Sequence, residues 1–167
     1  MPSSSPSVAA GEGPSLQERY APHNECFGCG VANPKGLRIR SFPSPGGEEG
    51  LVCSWSPEPH HQAFPGVLNG GIVGALLDCH GNWTACWHIM RRDGLDRPPC
   101  TVTADFHVRM RHPTPMEGPL ILRSRVAESE GKRVRVALEL LAGDRVTATC
   151  DGTFVAVGPG HPAYHRW

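Results

Sequence analysis

Between Gly70 and Met90 the apolar residues recur at spacings of three and four, so that Ile72, Ala75, Leu76, Cys79, Trp83, Cys86 and Trp87 fall on one face of a helix. Val73, Leu77, Ala85 and Ile89 make the other faces apolar too, and a helix that is apolar nearly all round is a buried one. Elsewhere the period is two. Ahead of the helix, "GLRIRSF", "PSPGGEEG" and "LVCSWS" read as strand, turn, strand. Behind it come four extended segments, "CTVTADFHVRMR", "PLILRSRVAES", "KRVRVALELLAG" and "RVTATCDGTFVAV", parted by the turn chemistry of "HPTPMEG", "SEG" and "AGD". Three of them alternate for much of their length, and the second starts as a solid apolar run. The pattern predicts two strands, one buried helix and an antiparallel meander of four strands. One central helix needs a sheet curled around it to cover its sides, which makes an α+β domain.

Length and charge narrow the partners. A chain of 167 residues is one domain by size, and its 16 Lys and Arg balance 16 Asp and Glu, so bulk charge predicts no nucleic-acid and no membrane-surface partner. No apolar run reaches the roughly 20 residues of a membrane span. The start "MPSSSPSVAAGEGPS" lacks the regions of a signal peptide, so the chain reads as cytoplasmic. Residues 1–15 read as a disordered tail, 16–157 as the domain and 158–167 as an irregular tail. Seven cysteines, an odd number, predict free thiols rather than a disulfide framework.

The chemistry gathers at the helix head. Asn69 is a favoured N-cap, which makes Gly70 and Gly71 the first helical residues, with backbone N–H groups that have no partner inside the helix. Without side chains they admit a ligand oxygen to the backbone, where the helix dipole adds partial positive charge. An Asn-Gly pair is also an ordinary turn. Along the stripe Gly74, Asp78, Gly81, Ala85, small residues flank a lone carboxylate and leave a groove beside it. A carboxylate within a buried helix is costly unless paired or used, and Asp78 could equally accept hydrogen bonds across an interface.

The segments "ECFGCGVANPKGLRIRSF", "HHQAFPGVLNGGIVGALLDCHGNWTA", "VTADFHVRMRHPTPMEGPLILRSRV" and "GKRVRVALELLAGDRVTATCDGTFV" together resemble the hot-dog-fold acyl-CoA thioesterases of the PaaI-like branch, over about residues 25 to 157. The resemblance implies a curved antiparallel sheet wrapped around one long central helix, a homodimer or a dimer of dimers, and hydrolysis of an acyl-CoA substrate without a cofactor. By position it makes Gly70 the backbone oxyanion donor, Asp78 the catalytic acid acting as base or nucleophile, and Thr103 a hydroxyl that orients the attacking water. It points to Gln62, among His60, His61 and Gln62, as a polar contact upstream of the glycines. In one respect the chain departs from the family, which usually carries His where Asn69 stands; Asn caps a helix and donates from its amide but does not titrate near neutrality.

Helix geometry adds a constraint. Eight residues put Asp78 about 12 Å along the axis from Gly70, too far for both to serve one carbonyl. A second copy, antiparallel about a two-fold axis, would bring each Asp beside the other's glycines. Substrate contacts are expected from Asn69, Gly71, Gly74 and Gly81, and from Arg109, which shares a strand face with His107 and Arg111 and could bind coenzyme phosphates. No metal is expected: His23, Cys26, Cys29 and Cys53 could form a four-ligand zinc set, but only one C-x-x-C is present, and thiols beside an edge loop are the commoner outcome. Cys79 and His80, as helix neighbours, point about 100° apart and are no nucleophile and base pair, and His80 reads as a core histidine. The alternative function is a non-catalytic acyl-CoA or acyl-carrier binding protein that kept the groove.

Overall fold

The computed structural model describes residues 11–46 and 49–164; of the two expected tails, residues 1–10 and 165–167 lie outside the described residues. Eight strands and two α-helices appear in chain order: α1 (Leu16–Tyr20), β1 (Phe42–Pro43), β2 (Leu51–Trp55), β3 (Gln62–Phe64), β4 (Val67–Leu68), α2 (Gly70–Asp93), β5 (Thr101–Met110), β6 (Leu120–Glu130), β7 (Arg133–Ala142) and β8 (Arg145–Ala156). Six strands form one antiparallel sheet in the order β1-β2-β6-β7-β8-β5, and β3 and β4 form a small hairpin around Gly66, whose φ of 83° is a left-handed conformation suited to glycine. The sheet curls over α2, whose Val73, Leu76, Leu77, Trp83 and Ile89 are buried against Leu122, Leu138, Leu140 and Phe154. Asn69 caps α2 at its start, and Gly94, at φ 64°, ends it in the left-handed conformation. Among the described residues no helix is long and apolar enough to cross a membrane.

Two features differ from the sequence pattern. The four strands after α2 are not a simple meander: β6, β7 and β8 are, but β5 lies at the far edge beside β8, and β6 enters between β2 and β7. The apolar start of β6, Leu120 to Leu122, suits a central position, whereas β5 is exposed along most of its length and suits an edge. The expected strand "GLRIRSF" contributes only Phe42 to β1. Arg38 has a positive φ of 57°, and the amides of Leu37 and Ile39 bond the carbonyls of Phe27 and Gly28, so this segment is tied to the cysteine turn instead of a neighbouring strand.

A buried polar chain ties these parts to α2. Gln17 of α1 donates to the Ser41 hydroxyl (3.0 Å) and accepts from the Ser41 amide (2.8 Å). The Ser41 hydroxyl lies 2.8 Å from Nδ1 of His80, and Nε2 of His80 lies 3.2 Å from the Leu51 carbonyl. Since that carbonyl can only accept, Nε2 carries the proton and Nδ1 accepts from Ser41, which defines a neutral ring. Burial pushes the imidazole down to about 4. A group whose folded pKa is depressed contributes stability that is complete above its unfolded value and is lost as the pH falls through the folded one. His80 should therefore remove on the order of 3 kcal/mol of stability between pH about 6.5 and about 4. Urea midpoints across that range should decline with pH, and the ring followed by NMR should remain neutral at pH about 5.5; a ring already protonated there would contradict this reading.

Candidate active site

The head of α2 is organised by its cap. The Asn69 side-chain oxygen accepts from the amides of Gly71 (2.8 Å) and Ile72 (3.3 Å), and the Asn69 carbonyl accepts from Val73 (3.1 Å). That last bond is the first regular one of the helix, and with the Asn69 amide on the His61 carbonyl at 2.9 Å, three of the four orphan amides, those of Asn69, Gly71 and Ile72, are engaged. The Gly70 N–H is left without a partner among the described residues, and Gly70 is exposed. This corrects the expectation for Gly71, whose amide is held by the cap and is no donor to a substrate.

Two turns on, Asp78 is half-buried, and Thr103 of β5 donates to its Oδ1 at 2.6 Å. A bulge in β5 between Thr103 and Asp105 sets this contact, and beyond it Phe106 comes beside Gly74 and Met110 beside Gly70. Burial raises the Asp78 pKa above the ordinary carboxylate value, against the Thr103 hydrogen bond, which lowers it. Phe106 and Met110 stay 44% and 54% exposed, so the groove along α2 and β5 is apolar, open and unpartnered. At its upper end a hollow of about 360 Å³ is lined by Phe64, Val67, Leu68, Gly70, Val73 and Met110 among others.

The remaining candidates separate. Gly74 borders the open groove, with Phe106 at ordinary contact distance from where a Cβ would lie. Gly81 does not: a Cβ there would stand 2.6 Å from the Phe154 ring, so its missing side chain makes room for the core and no space for a ligand. Arg109 is likewise not in this groove; it ion-pairs with Asp151 of β8 at 3.2 Å, in a cleft with Arg111, Arg123 and Arg125 on the other face of the sheet. Gln62 is exposed on β3, paired in register with Leu68 just ahead of the cap. Cys53 is buried in β2 and is no member of the cysteine group near the site; the described residues bring together Cys26, Cys29 and Cys79, their sulfurs all within 4.8 Å of one another. In the sequence Cys79 was an apolar position on the helix and a rejected nucleophile beside His80, with nothing to join it to Cys26 and Cys29.

A curved antiparallel sheet closed on one long helix is the hot-dog fold, and the chain resembles members of the thioesterase superfamily. No family model matches it. A thioesterase superfamily protein from Shewanella loihica is 28% identical, covers 72% of this chain and 91% of its own, and superposes with a TM-score of 0.60. A phenylacetic acid degradation-related protein from Ralstonia eutropha is 17% identical with a TM-score of 0.58, covering 72% of this chain and 86% of its own. Among curated proteins, acyl-coenzyme A thioesterase THEM4 from Rattus norvegicus is 22% identical over 117 residues, 69% of this chain and 46% of that protein. The chain thus spans less than half the length of the curated relatives it matches.

Packing at Gly81 is directly testable. Gly81→Ala puts its methyl against a fully buried phenyl ring and should cost about 1–3 kcal/mol of unfolding free energy by overpacking. Gly74→Ala meets only an ordinary contact, and its stability in urea should change far less. Equal destabilisation by the two would refute the assignment of Gly81 to the core.

Proposed function

We propose that this chain hydrolyses acyl-CoA thioesters, with residues 16–157 as the catalytic domain and each active site shared between two copies. The observation that carries the proposal is the half-buried Asp78 carboxylate, bonded to Thr103, on an unbroken helix whose unpartnered head amide belongs to Gly70. Along that helix the two are about 12 Å apart, and a base and an oxyanion donor must both lie about 3 Å from the reacting atoms. One copy supplies one of each, placed for different substrates. The open groove and the exposed edge of β5 favour a second copy in antiparallel contact, which sets Asp78 of one beside Gly70 of the other. The similarity to an acyl-coenzyme A thioesterase supports the substrate class.

In the reaction Asp78 takes a proton from water as the oxygen attacks the thioester carbonyl carbon. Desolvation makes this carboxylate a better base than an exposed one, and the Thr103 hydroxyl fixes one of its oxygens while the other faces the water. The carbonyl oxygen becomes negative and is held by the Gly70 N–H of the other copy, aided by the helix dipole. The carbon–sulfur bond then breaks, and the coenzyme sulfur leaves with the proton that Asp78 had taken. The apolar hollow beside Gly70 receives the acyl group.

Two experiments test this. Asp78→Asn keeps the volume and removes the base, so kcat on a reactive acyl-CoA should fall by on the order of 10² or more with binding retained. A variant keeping more than about a tenth of the rate would retire Asp78.

Gly70→Pro removes the head amide at a position where proline is tolerated, and the extended conformation of Asn69, ψ 132°, suits a residue before proline. Each variant alone should be nearly inactive. Mixed one to one with subunit exchange, half of the dimers pair the two variants, and one of their two sites is intact. About a quarter of wild-type activity should return. No recovery, with exchange shown independently, would refute the shared site.

A further inference from the structure

The C-x-x-C turn at Cys26 and Cys29 has a geometry unlike that of a loop that happens to hold two thiols. The Gly30 amide closes the turn on the Cys26 carbonyl at 2.8 Å. Trp83 of α2 donates its indole N–H to the Cys29 sulfur at 3.3 Å. A buried donor directed at a sulfur is the kind of outer-shell contact that holds a thiolate in place. From the opposite side α2 presents Cys79, whose sulfur lies 3.8 Å from that of Cys26.

The approach of Cys79 depends on residue 28 being glycine. A Cβ at Gly28 would stand 2.3 Å from the Cys79 sulfur, and one at Gly30 would stand 2.5 Å from the Cys26 carbonyl oxygen. Gly28 thus makes room for the Cys79 sulfur, and Gly30 for the tight turn that carries Cys26. Cys29 is buried and Cys26 and Cys79 are half-buried, and one side of the group opens to a cavity of about 570 Å³ that His23, Asn24 and Thr101 also line.

We propose that Cys26, Cys29 and Cys79 bind one zinc ion as a three-thiolate site, with the fourth tetrahedral position facing that cavity. A tetrahedral zinc holding sulfurs at about 2.3 Å sets them about 3.8 Å apart, so the Cys26–Cys79 separation is already that of a tetrahedral edge. The third sulfur, within 4.8 Å of the others, needs a shift of about 1 Å at most to join them. Binding exchanges thiol protons for the ion without oxidation or reduction. The ion joins the N-terminal cysteine turn to α2 one residue beyond Asp78.

The full chain, reduced and freed of metal with a chelator, is titrated with zinc and separately with cobalt(II). The expected result is one equivalent of zinc per chain by elemental analysis, a sulfur-to-cobalt charge-transfer band with intense tetrahedral visible bands, and a rise in Tm on adding zinc. Cys26→Ser, in a partly exposed turn, and Cys79→Ser should each weaken zinc binding at least tenfold and abolish the charge-transfer band. Cys53→Ser should bind as the wild type does. Substoichiometric uptake after full reduction, zinc binding unmoved by Cys26→Ser, or an equal loss on Cys53→Ser would overturn the site. So would a disulfide within the group whose reduction restores no metal binding.

Discussion

A 24-residue helix that is apolar on nearly every side must be enclosed, and one curved sheet cannot enclose all of it. The buried residues of α2 crowd into its later two thirds, from Leu76 through Met90, where β6, β7 and β8 close over them. Gly70, Gly71 and Gly74 at the front remain at least partly open, and Asp78 stands at the boundary. The proposed chemistry belongs at that boundary, because it is where a carboxylate is dry enough to lose part of its solvation and still faces an open groove. Further along the helix the same side chain would be fully buried beside Phe154; closer to the cap it would be fully solvated.

The glycines show how far sequence could carry the site. Gly74 and Gly81 lie one above the other on the helix, and in the sequence they are equivalent members of a small-residue stripe. What separates them is about 10 Å of axial rise, which takes one to the edge strand and Phe106 and the other beneath Phe154. Periodicity reports the angle around a helix but not which strand covers each level. The long helix, its cap and the Asp78 position were legible for that reason, since each depends on neighbours a few residues away.

Pairing over longer distances was not legible. β5 alternates like its sister strands, so nothing local told that it would cross to the far edge beside β8 and leave its outer side unpaired. "GLRIRSF" has the pattern of a strand, yet its amides are taken by the carbonyls of the cysteine turn. The same fold-level event brings Cys79 to Cys26, 53 residues earlier, and leaves Cys53 in β2. A C-x-x-C pair in sequence gives two ligands and leaves the third to tertiary structure. The glycine at position 28 was the available local sign, because a residue without a side chain inside such a motif marks a close approach from outside.

If hydrolysis runs across two copies as proposed, fixing α2 matters more than in an ordinary core helix, because each copy adds its own error of placement. The distance between a carbonyl carbon and an attacking water tolerates well under about 1 Å of drift, and the proposed base and oxyanion donor both ride on copies of the same helix. The structure holds that helix at separated points. Asn69 fixes its first turn, the Gln17–Ser41–His80–Leu51 chain ties its middle to α1 and β2, and the left-handed Gly94 ends it. The cysteine turn packs against the residue after Asp78. Asp78 thus lies between a cap nine residues behind it and a polar anchor two residues ahead, on a stretch of α2 fixed from both sides, while the groove facing it stays open, as the proposed second copy and substrate require.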